Sequence, residues 1–285
     1  MDKQQLRTPA LYVVATPLGN LGDISMRAIE VLRAADAIAC EDTRHARRLL
    51  DHYGIRAPLL AVHQHNEAQA AEKLLVLLGQ GKRVALISDA GTPGISDPGA
   101  RTVAAVRAAG FPAIPLPGAN AAITALSASG LADPYFLFAG FLPAKSGARR
   151  QAIAALRPIA ATLVFYEAPH RIVETLADLA ELLEPGRKLV VARELTKLFE
   201  EIASMPLSEG PAWLAADDNR ARGEFVLLVS APPPEAELPA EARRVLTLLL
   251  SQLPLKQAVG LAAEISGAPK NALYELALNW RDEQL

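Results

Sequence analysis

The sequence predicts an α/β fold made of two lobes and a small helical C-terminal tail. Short apolar runs rich in β-branched residues alternate with amphipathic stretches of helical period over most of the chain. Glycine or proline stands at most of the joins between them, as is typical of strand-to-helix turns. With 285 residues and 51% hydrophobic content, the chain can bury a sizeable core without disulfides or metals.

The first lobe is expected to span residues 1–130 and the second lobe residues 131–230. Strands are predicted in the first lobe at residues 11–15, 37–40, 84–88 and 113–116, and helices at residues 24–34, 43–53, 99–109 and 119–129. Strands are predicted in the second lobe at residues 135–138, 163–166, 189–192 and 225–229, and helices at residues 146–156 and 171–183.

Residues 231–285 are expected to form a linker and a helical tail. Three consecutive prolines in the linker, residues 231–239, restrict φ and remove hydrogen-bond donors, so this segment should be extended. In the tail, Gly267 follows Ala263 by four residues, and a second apolar helix comes after it. The pattern fits either a plain helical hairpin or a helix-turn-helix that touches RNA with the help of Lys256 and Lys270.

Composition excludes several classes of protein. The single cysteine, Cys40, rules out an internal disulfide, and there is no cysteine cluster for a structural metal. No apolar stretch has the length of a signal peptide or a membrane span, so we expect a cytoplasmic protein with no membrane partner. A net charge of −2 argues against a general nucleic-acid coat protein, and any contact with RNA must come from local patches.

Two loops of the first lobe have the features of a small-molecule site. Residues 86–99 leave a strand through two Gly/Pro turns and enter a helix, and residues 115–122 join the next strand to a helix that begins with small residues. Glycines let main-chain N–H groups approach a ligand at the carboxyl end of a sheet. Each loop alone would be typical of an ordinary connection, but two in one lobe favour a ligand. Neither is a Walker A or a G-x-G-x-x-G loop, which disfavours nucleoside triphosphates and NAD.

Five separated motifs carry a resemblance to a known family. They are residues 16–25, 40–45, 88–99, 165–171 and 192–197. In this order they resemble ribosomal RNA small subunit methyltransferase I, with the similarity running from about residue 11 to residue 229 and returning at residues 254–277.

The resemblance implies a two-lobed tetrapyrrole-methylase-like fold, S-adenosylmethionine (SAM) in the cleft between the lobes, and a homodimer. The implied activity is 2′-O-methylation of the ribose of a cytidine, family position cytidine-1402, in the decoding centre of 16S rRNA. Asn120 and Ala121 should lie beside the methionine part of SAM, and residues 223–225 should close over the adenine. Thr92 stands where related methylases carry an aspartate. The implied SAM-binding residues are Pro17, Leu18, Gly91, Thr92, Pro93, Ile95, Ala119, Asn120, Ala121, Tyr166, Glu167 and Phe225.

Methyl transfer from a sulfonium is an in-line displacement, so the protein must orient the attacking oxygen and supply a base or a cation for the developing alkoxide. The candidate catalytic residues are Asp42, Arg44, His45, Glu167, Arg193 and Lys197. Some have simpler alternatives. Asp42 or Thr43 could cap a helix, with Thr43 the preferred cap, and Arg193 could form a surface ion pair with Glu194 or Glu200.

Two basic groups are candidates for the RNA-facing surface, although both could be solvated helix faces. One contains Arg44, Arg47 and Arg48, and the other contains Lys145, Arg149 and Arg150. His63 and His65 are spaced like metal ligands, but no third ligand accompanies them, so we expect no metal.

Two rival interpretations remain open at this point. One is a methylase of the same fold that acts on a small macrocycle, and the other is a non-catalytic ribosome-assembly factor that binds RNA without SAM. The basic groups and the helical tail favour RNA over a macrocycle.

Overall fold

The computed structural model describes residues 6–63, 66–233 and 238–282. The chain divides into two compact units, residues 1–232 and 233–285. The predicted linker, residues 231–239, lies partly outside the described residues. In the described ranges, no helix combines the length and apolarity needed to cross a membrane.

The first sheet is parallel and has the strand order β3-β2-β4-β1-β5. Its strands are Ala10–Val14 (β1), Ala37–Cys40 (β2), Leu59–Ala61 (β3), Arg83–Ile87 (β4) and Ala113–Leu116 (β5). The helices that follow the strands are Met26–Ala34 (α1), Thr43–His52 (α2), Glu67–Gly79 (α3), Ala100–Ala108 (α4) and Ala121–Ala128 (α5).

Strands β1 and β4 are apolar almost throughout because helices cover both faces of this sheet. Alternate residues of β1 divide between two cores, with Tyr12 and Val14 packing toward α1 and α2 and Leu11 packing toward α3 and α4. The loops after β1 and β4, two neighbouring strands, therefore leave for opposite faces of the sheet. In open α/β sheets, such a divergence opens a crevice at the carboxyl edge, where ligands bind.

The second sheet has the order β6-β7-β10-β8-β9, with β6 parallel to β7 and the other pairs antiparallel. Its strands are Phe136–Phe141 (β6), Thr162–Glu167 (β7), Lys188–Arg193 (β8), Glu201–Pro206 (β9) and Phe225–Val229 (β10). The helices are Ser146–Leu156 (α6), Ile172–Leu182 (α7) and Gly210–Ala215 (α8). Helices α6, α7 and α8 cover one face, whereas α5 from the first lobe covers the other through Ala122 and Ala125.

The unit that begins after the linker contains three helices and a core of its own. The helices are Ala240–Leu250 (α9), Leu255–Ser266 (α10) and Lys270–Asp282 (α11). Leu246, Val259 and Leu273 are fully buried, one from each helix. Gly267 ends α10 in the left-handed region, with φ at 67°, and its N–H donates to the Ala263 carbonyl at 2.9 Å. The α/β architecture with a helical tail is thus confirmed, and the predicted Gly267 turn is present.

Candidate active site

A cavity of about 290 Å³ lies between the carboxyl edge of the first sheet and the inner face of the second. This volume is at the lower end of the range for small-molecule pockets. The first lobe lines it with Leu18, Gly91, Thr92, Ile95, Asn120 and Ala121. The second lobe lines it with Phe141, Tyr166, Leu195, Lys197, Phe225 and Val226.

The loops after β1 and β4 are joined directly beneath this cavity. Thr16 and Gly91 exchange two main-chain hydrogen bonds of 2.9 Å, and the Thr16 hydroxyl donates to the Ser88 carbonyl at 3.0 Å. Gly91 has a φ of 80°, and a Cβ there would lie 3.4 Å from the Leu18 side chain. Glycine is therefore needed at this position for the backbone conformation, and its bare main chain forms part of the cavity wall.

The start of α5 is held in place by both lobes. The Asn120 side chain caps the helix by accepting from the Ile123 N–H at 3.2 Å, and the Thr92 hydroxyl donates to the Ala119 carbonyl at 2.9 Å. From the second lobe, the Tyr166 hydroxyl accepts a hydrogen bond from the Ala122 N–H at 3.1 Å. The positive end of the helix is thereby positioned at the cavity, where it favours an anionic group such as a carboxylate.

Most of the residues predicted to bind SAM line this cavity. Pro17, Pro93 and Ala119 do not, although each is next in the chain to a residue that does. The cavity suits SAM chemically, because it offers apolar walls at Ile95 and Phe225 for a flat ring and the positive end of α5 for a carboxylate. Glycine and alanine at positions 91 and 121 leave space for the ligand.

Glu167 lines the cavity only with its main chain. Its side chain has no exposed surface, and both carboxylate oxygens are occupied. One oxygen lies 3.2 Å from the Arg171 guanidinium and accepts from the Ala168 N–H, while the other accepts from the Thr175 hydroxyl at 2.7 Å. These contacts tie the end of β7 to the start of α7, which is a positioning role.

Arg193 also serves to hold loops together. It lies outside the cavity lining, donates to the Asn219 carbonyl at 3.0 Å and pairs with Glu201 at 3.1 Å. The partner is thus neither Glu194 nor Glu200, the two carboxylates that sequence had suggested.

Lys197 is the lysine that lines the cavity, and it is held between two carboxylates. Its ammonium lies 2.8 Å from Glu194 and 2.9 Å from Glu224. Burial alone would lower the pKa of Lys197, but the hydrogen bonds to these carboxylates outweigh it and raise the pKa. Lys197 therefore stays protonated at neutral pH, so it is suited to stabilise negative charge and is not a base.

Strained backbone is concentrated in loops beside the cavity. Among the described residues other than glycine, positive φ angles occur at Ser96 (60°), Glu194 (51°) and Thr196 (67°). Ser96 lines the cavity, and the other two flank the lining residue Leu195. Residues in this region of φ cost free energy and persist where the surrounding structure holds them, as is common at functional sites.

The three candidates after β2, namely Asp42, Arg44 and His45, do not line the cavity. The cap of α2 is Asp42, not Thr43, because Asp42 accepts from the Arg44 N–H at 2.8 Å. Asp42 also pairs with the exposed Arg44 guanidinium at 2.8 Å, and these hydrogen bonds lower the pKa of its carboxyl. The Asp42 N–H in turn donates to Asp89 at 3.2 Å, while His45 is exposed.

In the second basic group, the two arginines are engaged in ion pairs within the lobe, whereas Lys145 is exposed. Arg149 is buried and pairs with Asp178 at 2.6 Å and Glu174 at 3.0 Å, while Arg150 pairs with Asp178 and Glu181. These arginines join α6 to α7. Of the two histidines with metal-like spacing, His65 lies outside the described residues, and no set of three or more potential ligands was found in the part of the chain that the structure describes.

Asp97 is a lining residue that sequence reasoning missed. Burial, followed by the nearby charges of Glu41 and Asp89, raises the pKa of Asp97 to about 7, although the nearby Ser88 hydroxyl acts in the opposite direction. The only local signal was its place in the Gly/Pro loop, and an aspartate before a proline is usually a turn residue.

Comparison with known proteins identifies the family. Residues 10–210 match the tetrapyrrole (corrin/porphyrin) methylases, and residues 236–281 match the RsmI C-terminal HTH domain. Relatives named ribosomal RNA small subunit methyltransferase I include one from Escherichia coli O157:H7, 54% identical and covering 94% of both chains. Another, from Pseudomonas aeruginosa, is 53% identical and covers 94% of this chain and 96% of the relative.

Solved structures share the fold at lower sequence identity. The methyltransferase CobJ superposes with a TM-score of 0.58 at 22% identity, covering 78% of this chain and 94% of that one. Uroporphyrin-III C-methyltransferase from Thermus thermophilus, solved in complex with S-adenyl homocysteine, has a TM-score of 0.53 at 18% identity, covering 78% and 97%. The chain therefore belongs to the tetrapyrrole methylase family and, within it, to the ribosomal RNA small subunit methyltransferase I group of SAM-dependent methyltransferases.

Proposed function

We propose that this chain transfers a methyl group from SAM to the ribose 2′-hydroxyl of a cytidine in 16S rRNA, at family position cytidine-1402. The observation that carries the proposal is the extent of the similarity. Relatives named for the small-subunit rRNA are about half identical over 94% of the chain. A ribosomal substrate also implies a cytoplasmic location.

The cavity supports the placement of the donor. When bound, SAM supplies a methyl group on a positively charged sulfur, which is open to attack by an oxygen. Gly91, Thr92 and Ile95 form one wall with Asn120 and Ala121. The facing wall contains Tyr166 and Phe225, and the main chain of Glu167 completes it. Because these walls come from separate lobes, the fold can hold the donor and exclude water from the reacting atoms.

Lys197 is proposed to stabilise the oxygen that develops negative charge, or a neighbouring phosphate. Its ammonium stays charged through its contacts with Glu194 and Glu224, and it borders the cavity. A fixed cation in a site protected from water stabilises an alkoxide far more than a cation in bulk water. Arg193, which donates a hydrogen bond to the Asn219 carbonyl, would help to hold the loop that carries Lys197 in place.

The first turns of α2 are proposed as the RNA-facing surface. Arg44, His45, Arg47 and Arg48 are exposed there, on the helix that Asp42 caps. Within the described parts of the chain, Arg47 and Arg48 form no ion pair, so both can neutralise phosphates. In the tail, Lys256 and Lys270 are exposed on a unit that matches a helix-turn-helix domain, which supports a second RNA contact.

We further propose that two copies associate as a homodimer. Strand β6 is an edge strand, and Phe136 and Phe141 on it are exposed, as is the preceding Tyr135. Exposed apolar groups at a sheet edge are a common basis for association. Sedimentation equilibrium should give twice the 30.3 kDa chain mass, and a single-chain mass would contradict this.

The central test is transfer of labelled methyl from SAM to purified small ribosomal subunits and, separately, to free 16S rRNA. We expect label on one cytidine and loss of alkaline cleavage after it, because a 2′-O-methyl group blocks attack on the adjacent phosphate. Lys197→Met should lower turnover by about 100-fold, as expected for loss of a charge that stabilises the transition state. Label on a base, or no label with either substrate, would contradict the proposed function.

A further inference from the structure

We propose that Asp97 is the catalytic base that removes the proton from the attacking ribose hydroxyl. This assignment rests on the proposed 2′-O-methylation and adds the group that activates the nucleophile. It follows from which carboxylates reach the cavity and which of them are free to act.

Three residues with carboxyl side chains line the cavity, namely Asp97, Glu167 and Glu224. The Glu167 carboxylate is inaccessible and is occupied by Arg171 and Thr175. The Glu224 carboxylate is paired with Lys197 at 2.9 Å. Asp97 forms no ion pair with any residue in the described ranges, so it is the lining carboxylate left to accept a proton.

Other potential bases at the site are less suited. Lys197 is protonated and held by two carboxylates. Asp42 is half-buried and paired with Arg44, and those contacts lower its pKa and make it a weak base. Tyr166 has a raised pKa, chiefly through burial, so its hydroxyl keeps its proton at neutral pH.

The loop that carries Asp97 is anchored where it enters α4 and passes close to β6. The N–H of Gly99 donates to the buried Glu67 carboxylate at 2.6 Å, which ties the start of α4 to α3. Ser96 has a φ of 60°, and a Cβ at Gly140 of β6 would lie only 3.1 Å from its hydroxyl. A base positioned in advance by its surroundings loses little freedom when the substrate binds.

The electrostatic surroundings of Asp97 adapt its carboxyl to neutral pH. Burial, followed by the charges of Glu41 at the end of β2 and Asp89 after β4, raises its pKa. The charge of Asp97 in turn contributes to the raised pKa of Tyr166 on β7, and Lys197 lines the same cavity. A pKa near 7 makes Asp97 a stronger base than an ordinary aspartate while leaving about half of it ionised at that pH.

The proposed step is balanced in atoms and charge. As the O2′–methyl bond forms, the bond from the methyl carbon to sulfur breaks, and its electron pair stays on sulfur to give a neutral thioether. The ribose O–H bond breaks in the same process, and its proton moves to the Asp97 carboxylate. The protonated Asp97 then loses this proton to water before the next turnover.

The test is single-turnover methylation of small subunits by the full chain and by Asp97→Asn across pH 5.5–8.5, with SAM binding measured by calorimetry. Wild type should show a rate that rises with an apparent pKa near 7. The variant should be slower by at least about 100-fold, should lack this rise, and should bind SAM within about threefold of wild type. Asp89→Asn removes a neighbouring negative charge, so the methylation rate of this variant should rise at a lower pH than that of wild type.

Several outcomes would overturn the assignment. Activity of Asp97→Asn within about tenfold of wild type would do so, as would an unchanged pH profile. A loss explained by weaker SAM binding would give Asp97 a donor-binding role instead. In each of these cases wild type still forms 2′-O-methylcytidine, so the proposed function stands. A wild-type product methylated elsewhere would overturn both proposals.

Discussion

At the scale of single residues, folding shifts the pKa values of two aspartates, Asp97 and Asp42, in opposite directions. The pKa of Asp97 is raised to about 7 by burial and by Glu41 and Asp89, whereas the pKa of Asp42 is lowered by its hydrogen bonds to Arg44. The folded chain thus binds a proton at Asp97 more tightly than the unfolded chain does, and at Asp42 less tightly. The contribution of Asp97 to the free energy of unfolding should therefore fall as the pH rises from about 4 through 7.

We therefore expect Asp97→Asn to be more stable than wild type at pH 8 and unchanged near pH 4. After allowance for solvent, a gain of about 1 kcal/mol corresponds to about 2–4 °C in Tm. Asp42→Asn is the matched control, and it should be less stable than wild type at pH 8, with the difference vanishing as the pH falls. Thermal unfolding at several pH values measures both, and shifts of the same sign would contradict the account.

At the scale of secondary structure elements, the sequence pattern predicted the strands that consist of continuous apolar runs. The predicted strands at residues 37–40, 113–116 and 225–229 match β2, β5 and β10, which are apolar throughout or nearly so. Strand β9 was not predicted, since none of its residues is fully buried and its apolar residues are interrupted by Ser204. Helix α3 was also not predicted, because five consecutive apolar residues at 74–78 fit a strand as well as a helix.

Side-chain partners that come from distant elements could not be predicted in the same way. The sequence shows the charge of Arg149, but its partner Asp178 lies 29 residues away on α7. The basicity of Asp97 likewise depends on burial and on Glu41, which follows β2, as well as on Asp89 at the start of the same loop. The family resemblance supplied about half of the cavity-lining residues, yet it did not indicate which carboxylate was free of a cation.

The pairing between α6 and α7 leads to a prediction about stability. Arg149→Met should lower the free energy of unfolding by about 3–5 kcal/mol, because it leaves the largely buried Asp178 carboxylate with one partner fewer. Arg157→Met is the control, since Arg157 just after α6 pairs with Glu184 just after α7. Its side chain is 57% exposed, so its loss should cost about 0–1 kcal/mol. Urea unfolding measures both values, and equal effects of the two substitutions would contradict this difference.

At the scale of the whole molecule, the catalytic and tail units have separate hydrophobic cores. Every residue that lines the cavity lies between Leu18 and Val226, within the first unit. The core of the tail is composed of residues 238–280, with Leu246, Val259 and Leu273 at its centre. SAM binding and any RNA contact made by the tail should therefore be separable by mutation.

A chain that ends at Pro232 should consequently bind SAM within about threefold of the full chain. Its KM for small subunits should rise by about tenfold or more, because the second RNA contact no longer raises the effective concentration of the first. The double substitution Lys256→Glu and Lys270→Glu in the full chain tests the same contact without deletion. It should reduce the slope of log K for subunit binding against log salt by the amount expected for about two phosphate contacts. If truncation abolished SAM binding, the first unit would not be self-sufficient. If the charge reversals left the salt dependence unchanged, the tail would be a packing element and the RNA contact would belong to α2 alone.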